Sequence, residues 1–520
     1  MKKLVKLVPV ELVIQLILWS ILAVLLFWRW RVGMTRFFDV DEFTHLHWVA
    51  AMARGSRPYI DFFTFFTPGF YWFFMPLFWL LGASPSVFIA SRVVALGIFF
   101  VILILTGVLF WILRSKRFSL LPVILLAFLP MPYDKFLEIR PDNLAVLFGL
   151  AGVVAQVWAL VRSDDPKARL AWFISGFCYA SSMVVLVKTL PFVVAALGVT
   201  ILDSNLICVI WDRLMKGKPV KFVFLQEHKL FLLGLAIPSA VFGLWALTLG
   251  NVGQVIYSLT RMPLEANTVG HVLIMEPHLF FFGNPAFYGG WGITSALIAN
   301  HALWTLGIFV GVHRFLTPYI SGEGKKKRVL AEVLVATIFV LSVVGYVNYF
   351  PLKHSQYLIP IAIFIAFFAA DGLVLAMRPL ERRFGKIAIA LLLLVGAYVI
   401  NQQTVLVNSG KLLLSNTKQM AEAQELKAII PPNDEVFDIE GRMIFWKDPY
   451  YICCLPIGIF VNYLSRPPQR LYQVLVDRKV PYIFQGLTNR LSELAPEEQW
   501  VLRTYYEPVV GWRDQLWRRK

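Results

Sequence analysis

Long apolar stretches parted by short basic clusters constrain this chain more than any other feature. They run over residues 9–29, 86–113, 119–133, 142–162, 170–187, 190–211, 230–250, 290–312, 330–349, 357–378 and 387–407. A hydrocarbon core ~30 Å thick takes ~20 helical residues at ~1.5 Å each. Backbone in lipid must also satisfy its own hydrogen bonds, which a helix does. The expected class is a polytopic α-helical membrane protein with about eleven transmembrane helices. Composition agrees, with 58% hydrophobic and 16% charged residues in a chain of 520.

The charges give the orientation. Lys2, Lys3 and Lys6 precede the first stretch; Arg114, Lys116 and Arg117 follow the second. Arg162, Lys167 and Arg169 follow the fourth, and Arg213, Lys216, Lys218 and Lys221 the sixth. Lys325 to Arg328 follow the eighth, and Arg378, Arg382, Arg383 and Lys386 the tenth. Counted this way every cluster falls on one side, which the positive-inside rule makes cytoplasmic. The segment TPGFYWFFMPLFWLLG (67–82) would invert that parity if it crossed. Its Pro68, Gly69, Pro76 and aromatic crowding instead predict an interfacial or re-entrant helix.

A net charge of +17 could suit nucleic acid, but the basic residues form no patch interleaved with aromatics, so no nucleic-acid partner is expected. The four cysteines, Cys178, Cys208, Cys453 and Cys454, have no CxxC or Cys/His metal spacing. Neighbouring cysteines rarely bridge, so the last two carry little weight. The first stretch lacks a small-residue cleavage site and reads as a retained span. No Asn-X-Ser/Thr sequon occurs, which fits a prokaryotic inner membrane.

Residues 1–407 are thus the membrane domain, with outer loops 30–85, 134–141, 251–289 and 350–356. After residue 408 charges become frequent and apolar runs shorten. EVFDIE (435–440) and PYIF (481–484) read as strands, and RPPQRLYQVLVDRK and LSELAPEEQWVLRTYY as helices. Residues 408–520 are expected to form a small extracytoplasmic α/β domain.

The outer loops hold the ionisable residues. FFDVDEFTHLHW (37–48) gathers Asp39, Asp41, Glu42, His45 and His47. Asp39 or Asp41 can cap a helix that Gly55 and Pro58 end. On it Asp41, Glu42 and His45 share a face. DKFLEIRPDN (134–143) adds Glu138, Arg140 and Asp142. Lys188 lies in the VKTLP turn, and KHSQY supplies Lys353, His354, Gln356 and Tyr357. Arg54 and Arg57 end the first outer helix. Each has a plain structural reading: helix caps, mutual neutralisation, or a lysine snorkelling to the interface. Together, cations beside carboxylates at one membrane face suit a substrate with a phosphate and a hydroxyl: the cations hold the anion and a carboxylate takes the proton. Loop 251–289 (Glu265, His271, Glu276, His278) matches no metal motif and reads as cover. Asp203 and Asp371 lie toward the cytoplasmic ends of their spans, Asp371 within reach of Arg378.

DEFTHLHWVAAMARGSRPYIDFFTFFTPGFYW resembles the first outer loop of the GT-C superfamily of membrane glycosyltransferases. The resemblance is nearest to the branch of the protein O-mannosyltransferases and the aminoarabinose transferase that modifies lipid A. It is carried by Asp41–Glu42, Gly55–Pro58–Tyr59–Asp61 and Pro68–Gly69–Tyr71, by EIRPD (138–142), and by HSQYLIP (354–360). The resemblance implies transfer of a sugar, with inversion, from a polyprenyl-phosphate donor to a lipid, glycan or protein acceptor. Asp41 would be the base or an orienting carboxylate, with Glu42 beside it and Asp142 or Glu138 as the second acidic group. Lys188, Arg140, Arg57, Lys353 and His354 would hold the donor phosphate, and Tyr59, Gln356 and Tyr357 would line the substrate. Some members use a divalent cation and others none. Here Mg, Mn or Zn would fall to Asp41, Glu42 and His45, although the histidines are not general features of the family. Two other readings stand beside this one: a flippase of lipid-linked sugars, which would favour inverted repeats and charges deep in the spans, and a non-catalytic subunit of a glycosylation assembly.

Overall fold

A computed structural model describes residues 9–204, 226–265, 285–321, 326–349, 354–438, 440–454, 464–485, 494–512 and 515–520. The basic cluster 213–221, Cys208, His271, Glu276, His278 and Lys353 lie outside them. The chain is a polytopic helical membrane protein. Among the described residues, eight helices have the length and apolar character to cross a bilayer. The last, Ile359–Ser409, is bent at Gly385 (φ 78°), where two helices meet. It therefore covers two of the apolar stretches.

The remaining two stretches are shorter as helices than their sequence suggests. The helix α8 (Leu190–Asp203) runs 14 residues before the described chain stops. The helix α5 (Leu120–Phe128) has only nine, so the helix expected over 119–133 ends early. Nine residues rise ~14 Å, well short of a crossing. Residues 129–133 continue outside the helix, with Pro130 and Pro132 unable to donate. Irregular backbone at membrane depth persists only where protein satisfies it. Here Arg29, fully buried on α1 (Val10–Thr35), does so. Its Nε donates to Ala127 O (2.8 Å), Nη1 to Tyr133 O (2.6 Å) and Nη2 to Leu126 O (3.3 Å). The Met131 N–H donates to Asn300 Oδ1 at 3.2 Å.

At one end of the bundle an ionic belt ties the helices together. Arg114 at the end of α4 (Ser86–Leu113) binds Glu332 and, at 2.8 Å, Asp371. Arg314 reaches Asp371 at 2.9 Å. Asp371 thus pairs across helices, not with Arg378 about two turns along its own. Arg117 bridges Glu11 (2.6 Å) and Glu381 (2.8 Å). Asp203 pairs with His228 at 3.2 Å. Mid-bundle, Gly176 on α7 (Ala168–Val185) faces the Phe231 carbonyl, and Gly234 faces that of Phe173. A Cβ on either would strike backbone, so these helices pack main chain to main chain.

The opposite end carries α2 (Val40–Ala53) and α3 (Gly69–Leu81). The helix α2 starts in a capping box: Asp39 accepts from Asp41 N, and Glu42 accepts from Asp39 N. Past its end, Gly55 takes φ 91°. All its residues from Glu42 to Met52 are buried, between α3 and the C-terminal region. The latter forms a four-stranded sheet of order β1-β2-β4-β3 (Val436–Asp438, Tyr482–Phe484, Leu516–Arg519, Tyr506–Pro508). The β1–β2 pair is parallel and the others antiparallel. Helices Thr417–Ile429, Leu471–Asp477 and Pro496–Tyr505 accompany it. The two strands read from sequence are present. The terminal β3–β4 hairpin and the helix 417–429 are additions. Arg54 clamps this region to α2 by donating to Ile444 O (2.6 Å) and Trp446 O (3.0 Å).

Candidate functional site

Two of the three carboxylates at the start of α2 have structural work. Glu42 is fully buried. It accepts from Arg92 Nε (2.7 Å) and Nη2 (2.6 Å), Asp39 N (2.9 Å) and Ile139 N (3.0 Å). Asp39 caps the helix. Only Asp41 turns outward, its side chain 46% exposed, with Arg140 Nη1 2.8 Å from its Oδ2.

Arg140 is the hub, itself 5% exposed. The same Nη1 meets Glu138 Oε2 at 2.9 Å, and Nε stands 3.8 Å from Asp142 Oδ2. The Lys188 ammonium is 3.8 Å from Asp142 Oδ1 and 4.2 Å from the centre of the Tyr357 ring. An alternating file, Asp41–Arg140–Asp142–Lys188, therefore leads from the outer surface inward. It ends at a cavity of about 390 Å³ lined by Asp142, Lys188 and Tyr357 at one side and by Leu186, Val194 and Leu341 beyond. Local sequence makes the file possible. Pro141 opens α6 (Pro141–Val161), so Arg140 stays extended (φ −141°, ψ 143°) and Asp142 sits in the first turn. Lys188 rides a single 3₁₀ turn between α7 and α8.

Glu138 is a second anchor, without exposure. Arg36 (3.1 Å), Lys135 (2.9 Å) and Arg140 surround it. Burial resists its charge, but those three cations outweigh burial and hold its pKa down to about 2. Partial desolvation opposes the charge on Asp41, and Arg140 and Lys135 overcome it, so its pKa lies well below the carboxylate range. An ion-paired Asp41 is a weak base until Arg140 is drawn elsewhere.

His45 completes the wall. It is 4% exposed, packs against Trp48, Phe66 and Phe70, and its Nδ1 has no hydrogen-bond partner among the described residues. Burial, then Arg140, push its pKa down to about 4, so the ring is neutral at pH 7. Between about pH 4 and 6.5 the unfolded chain binds this proton and the folded one does not, so stability rises with pH there. Thermal unfolding should show up to about 3 kcal/mol lost on acidification through that window. His45→Gln should remove that part of the loss, and an unchanged acid profile in the variant would refute the assignment.

The expected site residues divide. Asp41, Glu138, Arg140, Asp142, Lys188 and Tyr357 come together. His354 lies beside Tyr357, ring centres 6.1 Å apart, and Gln356 shares their 3₁₀ turn. Arg57 instead holds Asp61 at 2.9 Å on an exposed loop. Tyr59 takes φ 68° and donates to Phe66 O at 2.7 Å, so it shapes the loop. Asp41, Glu42 and His45 do not make a cation centre: both Glu42 oxygens are occupied, and Arg140 rests on Asp41. The cationic partners there are side chains of the chain itself. Sequence reading missed Arg36, Arg92 and Lys135. A lone arginine in an apolar span, as at Arg92, was the available signal.

No protein-family model and no curated protein sequence matches the chain. Solved structures do match. The ArnT of Cupriavidus metallidurans in the apo state superposes with TM-score 0.59 at 11% identity, over 96% of this chain and 97% of that one. The same protein bound to undecaprenyl phosphate gives TM-score 0.58 at 10% identity, with the same coverage. Archaeal oligosaccharyltransferase AglB from Archaeoglobus fulgidus, in complex with an inhibitory peptide and a dolichol-phosphate, gives 0.54 at 12%, over 94% and 72%. The likeness seen in the loop motifs thus extends over nearly the whole chain, and its fold is the GT-C fold of membrane glycosyltransferases.

Proposed function

We propose that the chain is a membrane glycosyltransferase that moves a sugar from a polyprenyl-phosphate donor to an acceptor hydroxyl or amine at the extracytoplasmic face of the inner membrane. One observation carries the reading: the Asp41–Arg140–Asp142–Lys188 file opens directly into an apolar cavity. Such a donor has a tail that stays in lipid and a phosphate that must leave as an anion. The cavity suits the first and Lys188 with Arg140 the second. Two relatives in fold were solved with polyprenyl phosphates, undecaprenyl phosphate on ArnT and a dolichol-phosphate on AglB.

The ion pair supplies a sequence of events. An arriving phosphate competes with Asp41 for Arg140. Once Arg140 turns to it, Asp41 loses the partner that depresses its basicity and can take the acceptor proton. The acceptor atom attacks the anomeric carbon, the bond to phosphate breaks with inversion, and Lys188 and Arg140 stabilise the charge leaving on phosphate. Glu138, clasped by three cations, positions Arg140.

Proteoliposomes containing the protein and a polyprenyl-phosphate sugar test this directly. A new glycosidic product, read by mass spectrometry, supports the proposal. Lipid translocation without product would replace it with a flippase, and neither activity with a bound donor would indicate a non-catalytic subunit. Lys188→Met should lower kcat/KM for the donor about 10–100-fold, mainly through KM, by removing one charge-assisted contact to phosphate. Unaltered donor kinetics would take Lys188 out of the site.

A further inference from the structure

The carbonyls from Gly33 to Phe38 run from the end of α1 to the cap of α2. A helix leaves its last carbonyls without helical partners, so these need others. The stretch leads straight into Asp39 and Asp41, and whatever fixes it fixes them. Arg92 takes the carbonyls of Gly33, Arg36 and Phe37. The other three bond to the chain that follows the last span. Asn416 donates from Nδ2 to Met34 O (2.8 Å) and from its backbone N to Thr35 O (2.8 Å). Gln419 Nε2 donates to Phe38 O (3.0 Å), and its Oε1 accepts from Phe38 N (2.6 Å). Phe37 N donates to Leu414 O at 2.8 Å, and Arg36 and Ser415 pair as an antiparallel bridge.

The same stretch reaches the other half of the site. Lys411 pairs with Asp134, and both are buried. Asp134 opens the loop that ends in Glu138 and Arg140. About one turn past Gln419, Glu422 pairs with Arg442, whose guanidinium lies 5.4 Å from the centre of the Phe43 ring. Phe43 is on α2, two residues beyond Asp41. Residues 411–422 therefore touch the Asp41 side and the Arg140 side at once. Gln419 is 8% exposed, and its amide is matched at both ends to the backbone of one residue. A carboxylate there could only accept, and an apolar side chain could do neither.

We propose that residues 411–422 brace the entry to α2 against the 134–140 loop and keep Asp41 in register with Arg140, with Gln419 as a positioning residue for transfer, a role that rests on the reading of Asp41 as base. Gln419 acts through Phe38 and the Asp39 cap and touches no substrate. The start of the C-terminal region thereby shares in the reaction.

Gln419→Met keeps the length of the side chain and removes both bonds to Phe38. Proteoliposomes with a polyprenyl-phosphate sugar give the kinetics, with kcat counted per site that binds undecaprenyl phosphate. That kcat should fall about 10–100-fold, as it does when reacting groups are misplaced by about 1 Å. The donor KM should stay within about 2-fold, because Lys188 and Arg140 still meet the phosphate. Amide hydrogen exchange at residues 39–44 should quicken about 10-fold, while α7 keeps its rate. Asn416→Ala removes one side-chain bond and leaves Gln419 in place. It should move both readouts the same way by less, and it decides if Gln419→Met does not fold. Parent kcat in folded Gln419→Met would overturn the brace, as would a loss that vanishes once binding sites are counted. No product from the parent protein would instead strike the transfer reading. Exchange would then decide alone, and unaltered rates at residues 39–44 would overturn the brace.

Discussion

Asp41→Asn should lower sugar transfer by about 10²–10⁴-fold, the range lost with a positioned general base, while the melting temperature stays within experimental error. The geometry separates these two outcomes. The Asp41 side chain is 46% exposed, so water screens its pairing with the buried Arg140 and holds its contribution to folding to about 1 kcal/mol. Arg140 keeps Glu138 as a partner when Asp41 becomes neutral. The fold therefore has little reason to respond, and the reaction has much. Transfer assays beside thermal melts check this. Full activity in Asp41→Asn would end the base assignment, and the search for a base would move to Asp142, the next carboxylate along the file.

The second large effect is on stability. Arg92→Met should destabilise the protein by about 3–5 kcal/mol, because it strands the buried Glu42 carboxylate. The guanidinium also serves the carbonyls of Gly33 (2.7 Å), Arg36 (3.0 Å) and Phe37 (2.9 Å). Combining it with Glu42→Met should recover only the part due to the stranded charge, since those carbonyls stay unsatisfied. Denaturation of the two variants in detergent would show the difference. Equal stability of Arg92→Met and the parent would mean that this clasp does not hold the start of α2.

These two residues also mark how far sequence reading reached. The membrane class and the order of its helices were legible, because lipid forces apolar runs to be helical and leaves few alternatives. The outer loops with Asp41, Arg140, Asp142 and Lys188 were legible as well, because charges crowd only where function or an interface tolerates them. Glu42 was not. Its motif position suggested chemistry, and only the tertiary approach of Arg92, fifty residues away, gives it a structural role. Tyr59 and Arg57 failed similarly, since a backbone at φ 68° and a local ion pair leave no mark in composition. The shortened α5 was hidden because an apolar run looks the same whether its last residues are helical or stitched by a distant arginine. The Cys453–Cys454 pair was misjudged, since neighbouring cysteines rarely bridge and yet here the two are joined as a disulfide.

That stitch has a consequence for how the protein is made. During synthesis Arg29 emerges roughly a hundred residues before the carbonyls it will bind. A charged arginine facing lipid costs about 2.5–3.5 kcal/mol at the centre of a lone helix by insertion scales and less toward its end, where Arg29 lies. In the interval its guanidinium must reach up to the headgroups, which its place near the end of α1 allows. The first segment therefore enters the bilayer in a provisional posture. It settles only when the fifth helix arrives to take the charge inward, so assembly of this membrane domain waits on an encounter between helices.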